Sequence, residues 1–232
     1  MKIYKYPAKE SWSELLKRPA LDVEALRGTV SEVLQRVRTE GDRAVLEYEA
    51  KFDKVQLDTL AVTPEEMEAA AHLIDAELKA AIELAHANIE KFHIAQRFEG
   101  KPVETRPGVT CWQKAVAIEK VGLYIPGGTA PLFSTVLMLA TPARIAGCGE
   151  IVLCTPPARD GSINPAILYA AQVAGVSRIY KIGGVQAIGA MAYGTESVPK
   201  VYKIFGPGNQ YVTAAKQQVS LRDVAIDMPA GP

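Results

Sequence analysis

The chain has 232 residues, of which 48% are hydrophobic, and its 26 Lys and Arg residues balance 26 Asp and Glu residues. This composition is typical of a globular protein with one large or two small domains, and it argues against disorder. A formal net charge of zero offers no basic excess for binding a phosphate backbone or an anionic membrane. We therefore expect a small-molecule partner, with no nucleic acid and no membrane.

The cysteines and the apolar segments indicate where the protein works. The three cysteines, Cys111, Cys148 and Cys154, fit neither a disulfide framework nor paired metal ligands, which is typical of a reducing compartment. The first residues have no continuous apolar stretch of the signal-peptide kind, and the most apolar later window, 131–148, is interrupted by polar residues. We therefore predict a soluble cytoplasmic protein.

The first part of the chain has helical periodicity. Apolar residues at intervals of three and four predict an amphipathic helix over 22–38, with Asp22 as its N-cap. Gly41 would end this helix, and Asp42 would cap the next one. The residues of the second helix expected to be buried are Ala44, Val45, Tyr48 and Phe52.

A capping box then predicts a long helix. Thr63, Pro64 and Glu66 form its start, and the periodic pattern would extend it to Arg97, or about nine turns. All three histidines, His72, His86 and His93, would lie on it. Seven residues correspond to about 10.5 Å of helix, which is too far for two ligands of one ion, so we predict no metal site here.

The pattern changes beyond residue 100. Short β-like runs at 109–113 and 115–118 predict a connecting hairpin or crossover. We place a domain boundary near Glu119, which gives a mainly helical region over 1–119 and a second domain over 120–232.

The second part predicts an α/β domain with a Rossmann-like parallel sheet and helices on both faces. Compact runs rich in Val and Ile alternate with segments long enough for crossover helices, as in parallel sheets that are buried on both sides. The predicted strands are Val121–Ile125, Ile151–Thr155, Arg178–Ile182, Val201–Phe205 and Val224–Met228.

Glycine or proline follows every predicted strand. Since the carboxyl ends of parallel strands lie at one edge, these turns should line a shared ligand crevice. The alternative for any single turn is that glycine and proline only make a tight connection. The turns in question are 127–128, 156–157, 183–184, 206–208 and 229–232.

One turn resembles the dinucleotide fingerprint G-x-G-x-x-G. Gly206 and Gly208 fit it, but Tyr211 occupies the third glycine position, so an ordinary pyrophosphate site is not expected. Asp227 is then either a ribose ligand or, as we favour, a structural carboxylate at a strand end.

Polar side chains beside the turns are the better candidates for ligand binding. Tyr124, Gln186 and Asn209 each place a donor or acceptor at the mouth of the crevice. Ser134 follows the first glycine turn, and it could equally be only the N-cap of the next helix.

We predict no catalytic residue in this chain. Cys154 could attack an aldehyde, but no histidine after His93 is available as its base. We favour the alternative that all three cysteines are small apolar fillers.

Several long motifs resemble those of histidinol dehydrogenases, and the resemblance spans nearly the whole chain. They are GDRAVLEY (41–48) with Phe52-Asp53, VGLYIPGGTAPL (121–132), STVLMLATPA (134–143), GTESVPK (194–200), KIFGPGN (203–209) and AIDMPAGP (225–232).

This resemblance implies a zinc-dependent, NAD-linked homodimeric enzyme of histidine biosynthesis. Such an enzyme oxidises L-histidinol through the aldehyde to L-histidine in two hydride transfers. In the family pattern, the NAD contacts correspond to Tyr124, Gln186 and Asn209.

The resemblance also implies that this sequence is an amino-terminal portion. Family members are about twice as long, and their zinc ligands, acid–base pair and most substrate contacts follow the MPAGP motif. We therefore expect the chain to lack zinc ligands and catalytic residues and to be inactive alone, with apolar surface exposed on 1–119. The alternative is a stand-alone nucleotide-binding module without catalysis.

Overall fold

A computed structural model describes residues 2–17, 23–128 and 130–228. The first part is mainly helical, with a 3₁₀ turn (Lys9–Ser11) before α1 and a π-helical turn (Glu49–Asp53) after α3. The helices are α1 (Trp12–Leu15), α2 (Val23–Glu40), α3 (Asp42–Tyr48), α4 (Pro64–Leu73) and α5 (Ala76–Ile94).

Strands and helices alternate after a small hairpin. The hairpin consists of β1 (Val103–Arg106) and β2 (Val109–Cys111). The remaining elements are β3 (Lys120–Tyr124), α6 (Phe133–Ile145), β4 (Glu150–Thr155), α7 (Pro165–Ala174), β5 (Arg178–Lys181), α8 (Gly184–Tyr193), β6 (Lys203–Phe205), α9 (Gln210–Ser220) and β7 (Ala225–Ile226).

The predicted parallel sheet is confirmed. Its five strands follow the order β5-β4-β3-β6-β7, and every pair is parallel. The chain moves outward from β3 to β5 and then returns to pair β6 with the other side of β3. This reversal creates a topological switch point between β3 and β6, where open α/β sheets bind ligands.

Helices cover both faces of the sheet, as a parallel sheet requires. Val121 and Leu123 of β3 pack into one hydrophobic cluster with α6 and α7, while Tyr124 packs into the other with α8 and α9. Residues of the first part join both clusters. Helices α2 and α3 pack into the cluster that contains Tyr124, and α5 packs into the cluster that contains Val121 and Leu123.

The chain before α4 also runs antiparallel to β5, and the Val62 N–H donates to the Ile179 carbonyl oxygen at 2.9 Å. The division at residue 119 stays a prediction.

The single long helix predicted over 63–97 is wrong. The capping box at Thr63 forms as expected, but Ile74 is extended and the Asp75 carboxylate caps a new helix by accepting the Leu78 N–H at 2.7 Å. A second N-cap satisfies the open amide groups of α5, so the chain can change direction at Ile74. His72 therefore lies on α4, and His86 and His93 lie on α5.

Three predicted local features also differ. Asp42 does not cap α3: Gly41 holds that position at φ +58°, and Asp42 accepts hydrogen bonds from Ser197. Ser134 lies inside α6, whose N-cap is Leu132. The hairpin pairs 109–111 with 103–106 rather than with 115–118.

Other predictions concern residues at the limits of the described chain. The helix over 22–38 is confirmed as α2, while the proposed cap Asp22 and the turn at 229–232 lie outside the described residues.

Several large side chains of the first part are exposed, among them Leu84, Phe92 and Phe98. No helix within 2–17, 23–128 or 130–228 is long and apolar enough to cross a membrane.

The contact between β3 and β6 predicts a strong effect of Gly206→Ala. Gly206 has φ +127°, and a Cβ atom there would overlap the carbonyl oxygen of Tyr124. We expect the free energy of unfolding to fall by at least ~3 kcal/mol, from backbone strain and overpacking together. Urea denaturation measures this change.

The matched control is Gly28→Ala, at an exposed helical position with nothing within 4 Å of the new Cβ. It should raise stability by about 0.5–1 kcal/mol, since alanine is the better helix former. Equal effects of the two substitutions would contradict this account of the β3–β6 contact.

Candidate functional site

A large cleft opens at the carboxyl edge of the sheet, beside the switch point. Its volume is about 870 Å³, within the usual range for sites that bury small ligands. Turns after β3, β4 and β5 and the start of α9 form it, which confirms that these bends share one edge. The lining includes Pro126, Gly127, Gly128, Pro156, Pro157, Gly184, Asn209 and Tyr211.

The first part of the chain forms the opposite side of the cleft. Thr29, Val30 and Val33 of α2 line it, together with Phe52 and Asp53 of the π-helical turn. Phe52 was expected to be buried, but 47% of it is exposed, because α3 ends at Tyr48 and the wider turn directs the ring toward the cleft. The site is therefore built from both parts of the chain.

Tyr124, the first of the three predicted ligand residues, lies at the end of β3 and lines the cleft. Its hydroxyl oxygen accepts the Gly184 N–H at 3.1 Å, which connects the turn after β3 to the start of α8. Burial raises the pKa of the phenol, so the hydroxyl stays protonated and keeps a proton to donate.

Asn209, the second, is the N-cap of α9 and also lines the cleft. Its side-chain oxygen accepts the N–H groups of Tyr211 and Val212 at 3.0 and 3.1 Å. Because capping uses only the oxygen, the exposed amide nitrogen can donate to a ligand.

Gln186, the third, lies in the first turn of α8 and is only 1% exposed. Its Nε2 donates to Glu49 Oε1 at 2.8 Å and approaches Asp53 Oδ2 at 3.4 Å. Its Oε1 is buried with no hydrogen-bond partner. A buried acceptor in the lining of a cleft is a specific place for a ligand donor, since burial without a partner is costly.

Two acidic residues that were not predicted from the sequence lie at the cleft: Asp53 lines it, and Glu49 is buried behind Gln186. Glu49 is fully buried, and its Oε1 also accepts the Gly183 N–H at 3.0 Å. Burial, opposed by these hydrogen bonds and assisted by the Asp53 charge, raises the pKa of Glu49 to about 7. Burial also raises the pKa of Asp53. Glu49 had a sequence signal, since it follows Val45 by one helical turn on the buried stripe.

The G-x-G turn does not form the main cleft. Gly206 and Gly208 border a smaller cavity of about 20 Å³ beside Lys216 and Asp227. Asp227 accepts the Gly206 N–H at 2.9 Å and pairs with the buried Lys216. These contacts are those of the structural carboxylate that we favoured for Asp227.

The three cysteines lie in different environments. Cys154 is fully buried in the core, and burial raises its pKa, so it matches the predicted apolar filler rather than a nucleophile. The prediction is wrong for Cys111, which is exposed on β2. Cys148 is partly buried, and all three are free thiols.

No group of three or more metal-ligating side chains lies within the described ranges. His72, His86 and His93 are on the outer helices α4 and α5. We therefore derive no chemical step through a metal from this part of the chain.

The fold and the site together define an α/β protein of the Rossmann-like class with a cleft that can hold a small ligand. The strand order, the cleft at the switch point and the polar side chains at three strand or helix ends are characteristic of that class.

Comparison with known proteins defines the family. The family model for histidinol dehydrogenase matches residues 16–232. Histidinol dehydrogenase of Bacteroides thetaiotaomicron is 75% identical over the whole chain, which covers 54% of that relative. The Salmonella typhimurium enzyme is 57% identical over 96% of this chain and 51% of its own length.

A solved structure agrees with these sequences. The crystal structure of histidinol dehydrogenase from Elizabethkingia anophelis matches 97% of this chain with a TM-score of 0.93 and 53% identity, over 52% of its own length. The chain belongs to the histidinol dehydrogenase family, a family of oxidoreductases. It spans about half the length of the curated relatives that it matches.

The raised pKa of Glu49 predicts a pH-dependent effect of Glu49→Gln on stability. The Glu49 carboxyl keeps its proton up to about pH 7 in the folded state but loses it near pH 4.5 in the unfolded chain. The free energy of unfolding of the wild type therefore falls as pH rises from 4.5 to about 7. Relative to wild type, the variant should gain about 3 kcal/mol over this interval.

Urea denaturation at several pH values measures the difference in unfolding free energy between variant and wild type. Glu68→Gln, at an exposed position of α4, is the control, and it should not reproduce the pH-dependent gain of Glu49→Gln. A constant difference for Glu49→Gln would contradict a raised pKa for Glu49.

Proposed function

We propose that this chain is the amino-terminal part of a histidinol dehydrogenase and that its cleft binds NAD. The observation that carries the proposal is the convergence of Tyr124, Gln186 and Asn209 on one cleft at the switch point. These residues come from three separate segments of the chain, and the sequence predicts them from their positions beside glycine turns: Tyr124 lies at a strand end, and Gln186 and Asn209 follow glycines.

The polar groups of the cleft fit a dinucleotide. NAD carries hydroxyl and amide donors that suit the unpaired Gln186 oxygen, and acceptors that suit the Asn209 amide nitrogen and the Tyr124 hydroxyl. When bound, NAD would accept hydride from the substrate. The residues of this chain would bind the cofactor, orient it and keep water from its buried side.

In the complete enzyme, we propose oxidation of L-histidinol to L-histidine through the aldehyde. Zinc and the acid–base residues would come from sequence outside this chain, and the enzyme would be a homodimer. Support for dimerisation comes from exposed apolar side chains such as Leu84, Phe92 and Phe98. The free thiols of all three cysteines support a reducing, cytoplasmic location.

Tyr124→Phe tests the proposed cofactor site. The substitution removes the hydroxyl that accepts the Gly184 N–H, and with it a potential ligand contact. We expect NAD affinity to fall about fivefold or more, the usual effect of losing one hydrogen bond of about 1 kcal/mol. Calorimetric titration with NAD measures the affinity.

Tyr169→Phe is the matched control, because its hydroxyl donates to Glu83 on the outside of the helical layer. It should leave NAD affinity unchanged. Equal affinities for both variants and wild type would show that the cofactor does not occupy this cleft.

Because the proposed zinc ligands and acid–base residues lie outside this chain, we predict that residues 1–232 alone do not oxidise L-histidinol. Addition of L-histidinol, NAD and zinc should produce no NADH absorbance above background. Histidinol-dependent NADH formation by the purified chain would contradict this prediction. A reading frame that continues into a histidine-bearing second half supports the enzyme, whereas a stop after Pro232 favours the stand-alone binding module.

A further inference from the structure

The contacts of Gln186 set the orientation of its side-chain amide. Glu49 Oε1 accepts the Gly183 N–H, and the Gln186 atom that faces this oxygen is the amide nitrogen, which donates to it at 2.8 Å. The nearby Asp53 oxygen favours the same orientation. The amide oxygen of Gln186 is therefore left without a partner, in a residue that lines the cleft.

The second oxygen of Glu49 is also buried without a partner. Asp53 Oδ2 lies 3.4 Å from the same Gln186 nitrogen that donates to Glu49, so the two carboxyls are neighbours, and two such acceptors hydrogen-bond to each other only when one of them is protonated. One proton shared between the two acids would satisfy this oxygen and leave a single negative charge on the pair.

Other titratable groups around the pair leave this arrangement intact near neutral pH. Tyr124 of β3 and Cys154 of β4 act electrostatically with Glu49, and burial raises the pKa of both, so both are neutral. Tyr48 precedes Glu49 on α3. Lys51 is the charged neighbour on the same π-helical turn, and its ammonium lies 5.4 Å from the centre of the Phe52 ring.

We propose that Glu49 is a positioning residue of the cofactor cleft, and that the proton it shares with Asp53 makes dinucleotide affinity depend on pH. Its unprotonated oxygen holds Gln186 with the amide oxygen available to a hydroxyl or amino donor of the ligand. Loss of the shared proton places a second negative charge on the pair, and repulsion of an anionic dinucleotide in the cleft then weakens binding. This inference rests on the proposed function.

The expected effect is about a tenfold loss of NAD affinity between pH 6 and pH 8.5, which equals a rise of one unit in the pKa of the pair when the ligand binds. Glu49→Gln mimics the protonated acid, since its amide oxygen can accept from Gly183 and Gln186 while its amide nitrogen donates to Asp53. The variant should bind NAD at every pH as tightly as wild type does at pH 6.

Calorimetric titration with NAD at pH 6, 7 and 8.5 compares wild type, Glu49→Gln and Glu68→Gln. The Glu68 variant should keep the wild-type pH dependence. Tight binding by wild type with the same affinity at all three pH values would overturn this inference and leave the proposed function intact. No NAD binding at any pH would overturn both.

Nuclear magnetic resonance provides a measurement on wild type that needs no variant and no ligand. The side-chain amide of Gln186 and the backbone amide of Gly183 should titrate together with a midpoint near neutral pH, because both donate to Glu49. In Glu49→Gln, both signals should lose the titration with a midpoint near neutral pH. Absence of this shared titration in wild type would overturn the proposal whatever the cofactor does.

Discussion

The parallel pairing of β3 with β6 determines where this protein can bind a ligand. β3 also pairs with β4, so the chain leaves β3 in one direction and later returns on its other side. The turns after β3 and β6 consequently diverge and leave a crevice between them. Close approach of the two backbones requires Gly206, because any side chain there would meet the carbonyl of Tyr124. The same residue that fixes the sheet therefore fixes the position of the site.

The helical first part does more than cover the sheet. Its π-helical turn inserts Glu49 beneath the turn between β5 and α8, where the carboxyl holds both Gly183 and Gln186. The wall of the cleft opposite the sheet comes from α2 and this turn. A ligand in the cleft would thus contact both parts of the chain, and the stability of the first part would influence the geometry of the site.

The sequence was sufficient for the sheet and for three residues of the cleft. Runs of Val and Ile between helical segments imply buried parallel strands, and parallel strands bring their following turns to one edge. This reasoning identified Tyr124, Gln186 and Asn209 without knowledge of the strand order. It could not establish that β6 pairs with β3, because pairing between distant strands leaves no local pattern.

Local exceptions were harder to predict. The helical spacing of apolar residues continues through Ile74 and Asp75, so the sequence marks the break between α4 and α5 only by Asp75, a residue type that can cap a helix. Glu49 was passed over because an acidic residue on a helix is usually solvated, although its spacing from Val45 placed it on the buried face. Its burial depends on a partner 137 residues away, and such a contact appears only in three dimensions.

The central claim is that the turns after β3 and β5 and the start of α9 form the proposed nucleotide site. Mapping backbone amide shifts of the isotope-labelled chain during titration with NAD tests it most directly. The account predicts saturable changes concentrated at Gly127 and Gly128, at Gly183 to Gln186 and at Asn209 to Tyr211. Saturable changes confined to the outer helices α4 and α5, or no changes at any NAD concentration, would contradict it.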